Sequence, residues 1–342
     1  MIRKLMLLAA SLALASPETS ANMSITSFKA GGLVMEKTAQ VAIAEEDLHL
    51  SPFLVSVRYL FRNRTDRPIT TRVAFPLPTL DVEASYNDRV GIGWLGHSGW
   101  NPVDFTVRVD GRPLEPSINV RAKVGKREVS AILRQYAIPP TNAARQLVDR
   151  MDTLSPQERD ALIAQGVLRW WEEGRFASPN WQVTLNYHWT MEFAPGRDTE
   201  VEISYRPLAG GATMYGEPSF DRSVCLRGCE KHKPFIVQRS PCRSDPDTKR
   251  LQEMYRTQDS FASTEFGYVL KTGRNWAGPI GRFRLTLDTV KPDAVLDLCP
   301  ASIRKRLRPN GPAKFVFEAE NFMPPADIDI GLYTNDFLDW PD

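Results

Sequence analysis

The loop at residues 91–100 holds the side chains best suited to contact a ligand. Trp94 and Trp100 lie among glycines, and His97 lies between them. Two tryptophan rings on a loop can stack on a sugar or a peptide, and loops often carry binding residues. The alternative is that both rings fold back and cover the protein core. Trp94, His97 and Trp100 are therefore the candidate ligand-binding residues.

The same loop contains two patterns that are typical of enzymes, but both lack the context that they require. Residues 91–96 read G-x-G-x-x-G, whereas a dinucleotide site needs this run between a parallel strand and a helix. Pro102 follows shortly afterwards, and the neighbouring segments alternate like antiparallel strands. Residues 96–100 approach the nucleophile elbow of serine hydrolases, except that Trp100 stands where the elbow needs glycine. We predict no bound cofactor and assign no catalytic residue.

Acidic residues occur in two short runs that could supply an acid and a base. Residues 45–47 read Glu-Glu-Asp, and on a strand these side chains alternate between faces, so a polar strand edge is the simpler interpretation. Glu172 and Glu173 follow Trp170 and Trp171. This pattern suits either a glycosidase cleft or an amphipathic helix that buries its tryptophans and exposes its glutamates to solvent, and we favour the helix.

The histidines are too scattered along the chain to predict a metal site, and we predict none. They are His49, His97, His188 and His232.

The first residues have the pattern of a secretory signal peptide. Arg3 and Lys4 are followed by an apolar run at residues 5–15 and then by small residues. We predict that residues 1–21 are removed after Ala21, which places the mature protein in the periplasm or outside the cell. No later run approaches 18 apolar residues, so we predict no transmembrane segment after cleavage.

An exported chain with an even number of cysteines favours disulfides over free thiols. The four are Cys225, Cys229, Cys242 and Cys299. Zinc is the alternative, but Cys-x3-Cys lacks a second close pair and His232 stands alone. Three connectivities are possible, and we predict Cys242–Cys299 and Cys225–Cys229.

Residues 181–193 alternate strictly between apolar and polar side chains, and this stretch organises the predicted fold. The apolar positions are Trp181, Val183, Leu185, Tyr187, Trp189, Met191 and Phe193. A period of two places all seven on one face of a strand and would scatter them around a helix. Residues 194–197 are typical of a turn, and residues 198–205 alternate again. We predict a β-hairpin over residues 181–205, with its apolar face on a second layer.

The remaining patterns predict an all-β, mostly antiparallel protein. Further strands are predicted at residues 53–63, 69–75, 103–109, 112–120, 266–271, 283–287, 294–298, 315–319 and 328–332. Between residues 126 and 176 the apolar spacing becomes helical, and Ser155-Pro156-x-Glu158 has the form of a capping box. A short helix is predicted at residues 245–256. The architecture predicted is two β-sandwich modules, at residues 22–124 and 179–342, with a helical insertion at residues 125–178.

Several short motifs, spread over most of the mature chain, resemble one bacterial protein family. They are Gly31-Gly32-Leu33-Val34, Glu46-Asp47-Leu48, Val57-Arg58-Tyr59, Phe61-Arg62-Asn63, Ala74-Phe75-Pro76-Leu77-Pro78, Tyr187-x-Trp189, Phe193-x-Pro195-Gly196, Tyr205-Arg206-Pro207 and Trp276-x-Gly278-Pro279-Ile280. The family is called domain of unknown function 4424. The resemblance implies an exported protein of proteobacterial type and implies no particular activity.

The function we predict is that of a non-catalytic envelope protein that binds a protein or a glycan. The net charge of +2 argues neither for nor against a charged partner, and we predict no nucleic-acid partner. Basic residues at 304–308 and 231–243 could touch lipopolysaccharide or acidic polymers, although solvated loops are the simpler interpretation. The alternative function is a hydrolase of envelope polysaccharide, whose carboxylates only the fold would bring together.

Overall fold

The computed structural model describes residues 23–29, 32–82, 101, 103–141, 146–171, 176–216 and 240–338. Its strands, in chain order, are β1 (Ser24–Lys29), β2 (Gly32–Glu36), β3 (Val41–Leu50), β4 (Val55–Asn63), β5 (Ile69–Pro76), β6 (Leu80–Asp81), β7 (Thr106–Val109), β8 (Arg112–Leu114), β9 (Ser117–Val124), β10 (Arg127–Glu128), β11 (Leu168–Trp171), β12 (Phe176–Pro179), β13 (Gln182–Phe193), β14 (Asp198–Tyr205), β15 (Gly210–Tyr215), β16 (Ser260–Tyr268), β17 (Ile280–Asp288), β18 (Val295–Cys299), β19 (Arg308–Pro309), β20 (Lys314–Phe322) and β21 (Ile328–Thr334).

Helices are short and few in the described ranges. They are α1 (Ser130–Gln135), α2 (Gln146–Asp152), α3 (Pro156–Ala164), α4 (Asp245–Thr257) and α5 (Ala301–Arg304), with a 3-10 helix at Lys271–Asn275. The capping box of α3 is present, because the Ser155 side chain accepts from the Glu158 N–H and the Glu158 carboxylate accepts from the Ser155 N–H. The chain is therefore mostly strand, which confirms the predicted all-β class.

The strands form two large sheets, one smaller sheet and one two-stranded ribbon. The seven-stranded sheet has the order β10-β9-β13-β5-β1-β2, with β6 also beside β13. The eight-stranded sheet has the order β19-β20-β17-β3-β4-β14-β7-β8, and the four-stranded sheet has the order β15-β16-β21-β18. The pairs are antiparallel except for β3 with β17, which are parallel.

The long strand β13 has the sidedness that its sequence predicts, but it has different neighbours. Its apolar positions are buried, and it pairs with β5, β6 and β9. The next strand, β14, pairs with β4 and β7 in the other large sheet. The predicted hairpin over residues 181–205 is therefore wrong. Alternation fixes which face of a strand is apolar, but it does not decide whether the following strand lies beside it or across the core.

Aromatic side chains from the two large sheets meet in a shared core. Phe61 of β4 lies 5.6 Å, between ring centroids, from Phe193 of β13. Phe75 of β5 lies 5.6 Å from Tyr205 of β14. The ring of Trp276 contacts both Phe61 and Phe193, at 4.5 and 5.9 Å. The turns after β4 and β13 each carry the chain from one sheet to the other, so the two apolar faces cover each other.

Both large sheets combine strands from before and after the helical segment. In the eight-stranded sheet, β3 and β4 lie between β17 and β14. The predicted modules at residues 22–124 and 179–342 therefore share these sheets, and their boundaries do not separate one sheet from another. The helices α1 to α3 do fall within the predicted insertion. Residues Leu168–Trp171 form a strand instead of the expected helix, as suits two consecutive tryptophans with high β propensity.

One extra residue in β3 reverses which of its side chains face the core. Ile43 pairs with Phe61 and Glu45 pairs with Leu60, so Ala44 has no counterpart on β4 and forms a β-bulge. Val41 and Ile43 face inward before the bulge, and Glu46 and Leu48 face inward after it. β3 is an interior strand, so the expectation that residues 45–47 form a polar sheet edge is wrong.

Glu46 enters the core, where it meets a chain of tyrosine hydroxyls. It is 1% exposed, and Tyr268 donates to its Oε1 at 3.3 Å. The hydroxyls of Tyr59 and Tyr268 are 2.7 Å apart. Since the proton of Tyr268 is directed at Glu46, Tyr59 donates to Tyr268. Burial, the largest cause in each case, raises the pKa of Tyr59 and of Tyr268 well above 10.0.

Trp189→Asp tests the inward face of β13. Trp189 is 5% exposed, and an unpaired charge at its position should cost about 4 kcal/mol or more of unfolding free energy. Thr190→Asp, one residue along on the exposed face, should change that free energy by no more than about 0.5 kcal/mol. Urea unfolding followed by circular dichroism measures both. Equal losses in the two variants would contradict the sidedness described here.

Tyr268→Phe tests the buried hydroxyl chain. It removes the acceptor of Tyr59 and a donor to Glu46, so the unfolding free energy should fall by about 1–3 kcal/mol. Tyr205→Phe is the matched control, because the buried hydroxyl of Tyr205 has no hydrogen-bond partner among the described residues, and this variant should lose nothing.

Tyr268→Phe also gives a pH signature. The unfolded chain releases its tyrosine protons near 10.0 while the folded chain retains them, so stability should fall as the pH rises above 10. Tyr268→Phe should make this alkaline loss shallower. An alkaline slope that is unchanged would show that the buried hydroxyl does not titrate with unfolding.

Candidate functional site

The predicted ligand residues Trp94, His97 and Trp100 lie outside the described residues, as do Glu172, Glu173 and the predicted pair Cys225–Cys229. Their assignments stay predictions. Within the described ranges, no group of three His, Cys, Asp or Glu side chains is placed to hold a metal ion. No helix in these ranges is long and apolar enough to cross a membrane. Two cavities and one broad polar surface remain as candidate sites.

The polar surface is the outward face of the eight-stranded sheet, which we call the charged face. One cross-strand row of this face alternates in charge over six strands. In order from β20 to β7, it consists of Glu318, Arg284, Asp47, Arg58, Glu202 and Arg108. Each charge in the row therefore has an opposite charge on the adjacent strand.

Ion pairs also connect this row to the next one. Arg58 donates to Glu200 at 2.6 Å and lies 3.9 Å from Glu45, while Arg282 lies 2.9 Å from Glu45. Arg284 lies 3.3 Å from Glu318. These side chains are partly exposed, so each pair contributes only about 0–1 kcal/mol to folding stability. The surface is nearly neutral in sum, although it is dense in charged groups.

A second row, two residues along each strand, consists of neutral polar groups. From β17 to β7, it contains Thr286, His49, Ser56, Ser204 and Thr106. The hydroxyls of Thr106 and Ser204 are 2.8 Å apart. Burial of the imidazole lowers the pKa of His49, against the opposing effect of Asp288, so His49 is neutral at pH 7. Hydrogen-bonding groups without net charge therefore cross five strands.

A cavity of about 520 Å³, which we call the bulge cavity, opens at one corner of the charged face. Charged lining residues are Glu45, Arg62, Arg64 and Asp198, and Ile43 and Ala44 of the bulge also line the cavity. Arg62 binds Asp198 through two nitrogens, at 2.8 and 2.7 Å. This ion pair lowers the pKa of Asp198.

A second cavity, of about 430 Å³, lies on the four-stranded sheet, and we call it the acidic cavity. Glu265 and Asp297 are both register partners of Gly331, and Asp329 is two residues from that glycine. Gly331 has no side chain, so the three carboxylates and Tyr333 surround an open floor. The fold thus gathers acidic residues that are distant in sequence. The alternation of residues 328–332 sets Asp329 opposite the buried Ile328 and Ile330, but it does not indicate that Glu265 and Asp297 lie beside it.

The three carboxylates of the acidic cavity are not equivalent. Arg243 binds Asp297 at 2.7 Å, and Ser240 donates to the same carboxylate at 3.2 Å. Asp329 has a raised pKa, caused first by burial and then by the nearby charge of Asp327, with Lys271 opposing. Arg243 also lies over the ring of Tyr333, 5.7 Å from its centroid. Asp297 is therefore held by an ion pair with Arg243, whereas burial raises the pKa of Asp329.

The Cys242–Cys299 disulfide lies at the wall of the acidic cavity. The two Cα atoms are 4.8 Å apart, and 57 residues separate the cysteines in sequence. The Cys242 carbonyl accepts from the Leu298 N–H at 2.9 Å, and Arg243 forms a β-bridge with Asp297. The disulfide thereby ties the segment before α4 to the edge strand β18. This is one of the two pairs that the sequence predicts.

Comparison with known families assigns the chain to one protein family. A family described as "Domain of unknown function (DUF4424)" matches residues 21–331. The chain belongs to this family. No curated protein matches it. The DUF4424 chain is similar to a crystal structure from Legionella pneumophila subsp. pneumophila str. Philadelphia 1, described as a proposed nutrient binding protein, with 14% identity and a TM-score of 0.42.

The match to the Legionella structure covers 91% of the DUF4424 chain and 72% of the other chain. A TM-score below 0.5 gives no basis for transferring its ligand. The family likewise has no activity in its description. The function of this DUF4424 protein must therefore be argued from its own surfaces.

Replacing both Cys242 and Cys299 by serine should lower the unfolding free energy by about 4 kcal/mol, the loop-closure entropy that a cross-link of this length removes from the unfolded chain. Urea unfolding of the oxidised protein measures the loss, and non-reducing peptide mapping should recover a linked peptide containing both cysteines. Equal unfolding midpoints in the variant and the wild type would show that the cross-link does not stabilise the fold.

Proposed function

We propose that this DUF4424 protein is exported to the bacterial envelope, where it binds a glycan at the charged face without catalysing a reaction. The single observation that carries the proposal is the pair of rows on that face, one of alternating charges and one of neutral polar groups. The positively charged, apolar and small-residue regions at the N-terminus support export.

The hydroxyl groups of a sugar can form hydrogen bonds with both rows of the charged face. Each hydroxyl of a sugar both donates and accepts a hydrogen bond, so an adjacent carboxylate and guanidinium can contact neighbouring hydroxyls at once. Arg58 and Glu200 offer this combination, and Ser56, two residues from Arg58, pairs with Ser204 on the same two strands. A glycan lying across the strands would meet the same kinds of group on each strand in turn.

A nucleic acid or a protein partner fits the charged face less well than a glycan. A nucleic acid needs an excess of positive charge to replace its counterions. In the charge row, Arg284 and Arg58 each lie between two carboxylates, and Arg108 lies beside Glu202. Protein interfaces concentrate aromatic and methionine side chains at their centre and exclude charges from it. The charged face has the opposite composition.

The alternative function, hydrolysis of a glycan, is favoured by one specific observation in the acidic cavity. Glu265 and Asp329 are diagonal neighbours on β16 and β21, a relation that sets residues about 7–8 Å apart. Inverting glycosidases hold their two carboxyl groups about 6.5–9.5 Å apart, and the acid has a raised pKa. Asp329 would then be the acid and Glu265 the base.

Co-sedimentation with purified peptidoglycan, and titration with soluble neutral oligosaccharides of N-acetylglucosamine, test the proposal. We expect saturable binding that weakens at least tenfold in Arg58→Ala/Glu200→Ala, which removes an ion pair of the charged face. The matched control is Arg256→Ala/Glu253→Ala, which removes an exposed ion pair on α4 and should leave binding unchanged.

Release of reducing ends from the same glycans separates the two functions. The binding proposal predicts none. Release by the wild type that stops in Asp329→Asn and Glu265→Gln would establish the hydrolase instead. Failure of every glycan to bind, or equal weakening in both ion-pair variants, would overturn the binding proposal.

A further inference from the structure

The bulge cavity lies where three adjacent strands carry residues with a special backbone role. Ala44 is the extra residue of the β3 bulge, Gly281 of β17 lies against the Ala44 carbonyl, and Asn321 of β20 has a positive φ. All three line the cavity. Bulges are common beside binding sites because they end regular pairing and redirect side chains.

Two of these residues are suited to their positions by backbone geometry. A Cβ on Gly281 would lie 2.5 Å from the Ala44 carbonyl oxygen, so a larger residue would push β3 and β17 apart. Asn321 has φ +48°, a left-handed conformation that asparagine tolerates better than most residues. Glycine at 281 therefore permits the close approach of β17 to β3, and asparagine at 321 suits the left-handed backbone of β20.

Among the described residues, the charges around the cavity leave one cation without a protein partner. Asp198 is bound by Arg62, and Glu45 is bound by Arg282 with Arg58 nearby. No hydrogen bond or ion pair engages the Arg64 guanidinium within the part of the chain that the structure describes. Because both lining carboxylates are already neutralised, the cavity presents an excess of positive charge at Arg64.

We propose that the bulge cavity is a subsite for the anionic group of a sugar-sized ligand, a carboxylate or a phosphate, with Arg64 as its charged contact. A volume of about 520 Å³ falls within the range of small-ligand pockets, about 300–1,000 Å³. A guanidinium can bind either anion through two parallel hydrogen bonds. The sugar part of this inference rests on the proposed function, whereas the anion part rests on the cavity alone.

Calorimetric titration of the full chain with glucuronate, glucose 1-phosphate and glucose tests the subsite. Glucuronate and glucose 1-phosphate distinguish the two anion sources, and glucose is the neutral reference. At least one acid should bind ten times more tightly than glucose. Arg64→Ala should abolish that preference, and Arg64→Lys should retain part of it because the charge remains without the planar guanidinium.

Arg67→Ala is the matched control, because Arg67 is an exposed arginine of the same turn that does not line the cavity. It should keep the preference. Loss of the preference in Arg67→Ala as well, or its survival in Arg64→Ala, overturns the subsite.

The neutral N-acetylglucosamine oligosaccharides separate failure of the subsite from failure of the proposed function. If they bind while neither acid is preferred over glucose, the subsite is wrong and glycan binding stands. If an acid binds through Arg64 while the neutral oligosaccharides do not bind, the subsite stands and the charged-face proposal fails.

Discussion

The packing of β13 against the eight-stranded sheet is the interaction on which the rest of the structure depends. Burying each large side chain of its apolar face contributes about 1.5–3 kcal/mol, before the cost of ordering the chain. Phe193 meets Phe61 across the core, and Tyr187 stacks on Phe105 with ring centroids 4.0 Å apart. These contacts fix the separation of the two sheets. Because the inward faces of the two sheets pack against each other, the outward face of the eight-stranded sheet is exposed to solvent and can hold the paired charges.

Sequence reasoning could predict the strands because alternation is a local property. The segment β14 is predicted to the residue, α4 is predicted to within one residue at either end, and the capping box that begins α3 is predicted from its four residues. The disulfide between Cys242 and Cys299 is one of the pairs predicted from the even number of cysteines, which allows three connectivities. Each of these inferences uses information contained in a few neighbouring residues or in the composition of the chain.

Pairing could not be predicted, because it depends on residues far apart in sequence. β3 lies parallel to β17, more than two hundred residues later, and only this pairing brings Glu45 beside Arg282. The same limitation made the β13–β14 hairpin wrong, since a turn of similar composition serves a hairpin or a crossing between sheets. The acidic cavity likewise needs β16, β18 and β21 to be adjacent. Its carboxylates carry no common sequence motif that could have revealed them.

The bulge at Ala44 connects the buried and the exposed chemistry of the protein. With regular pairing throughout β3, the side chains that follow Val41 and Ile43 on the inward face would be Glu45, Asp47 and His49. Three polar groups would then enter an aromatic core, at a cost of several kcal/mol for each unpaired charge.

The extra residue Ala44 reverses which of the following β3 side chains face the core. Leu48 and Leu50 face the core, only Glu46 must be accommodated there, and Tyr268 supplies its hydrogen bond. Glu45, Asp47 and His49 instead take their places in the rows of the charged face. The irregularity that opens the bulge cavity is thus the same one that makes the core and the outer face chemically compatible, so a change at Ala44 would affect all three together.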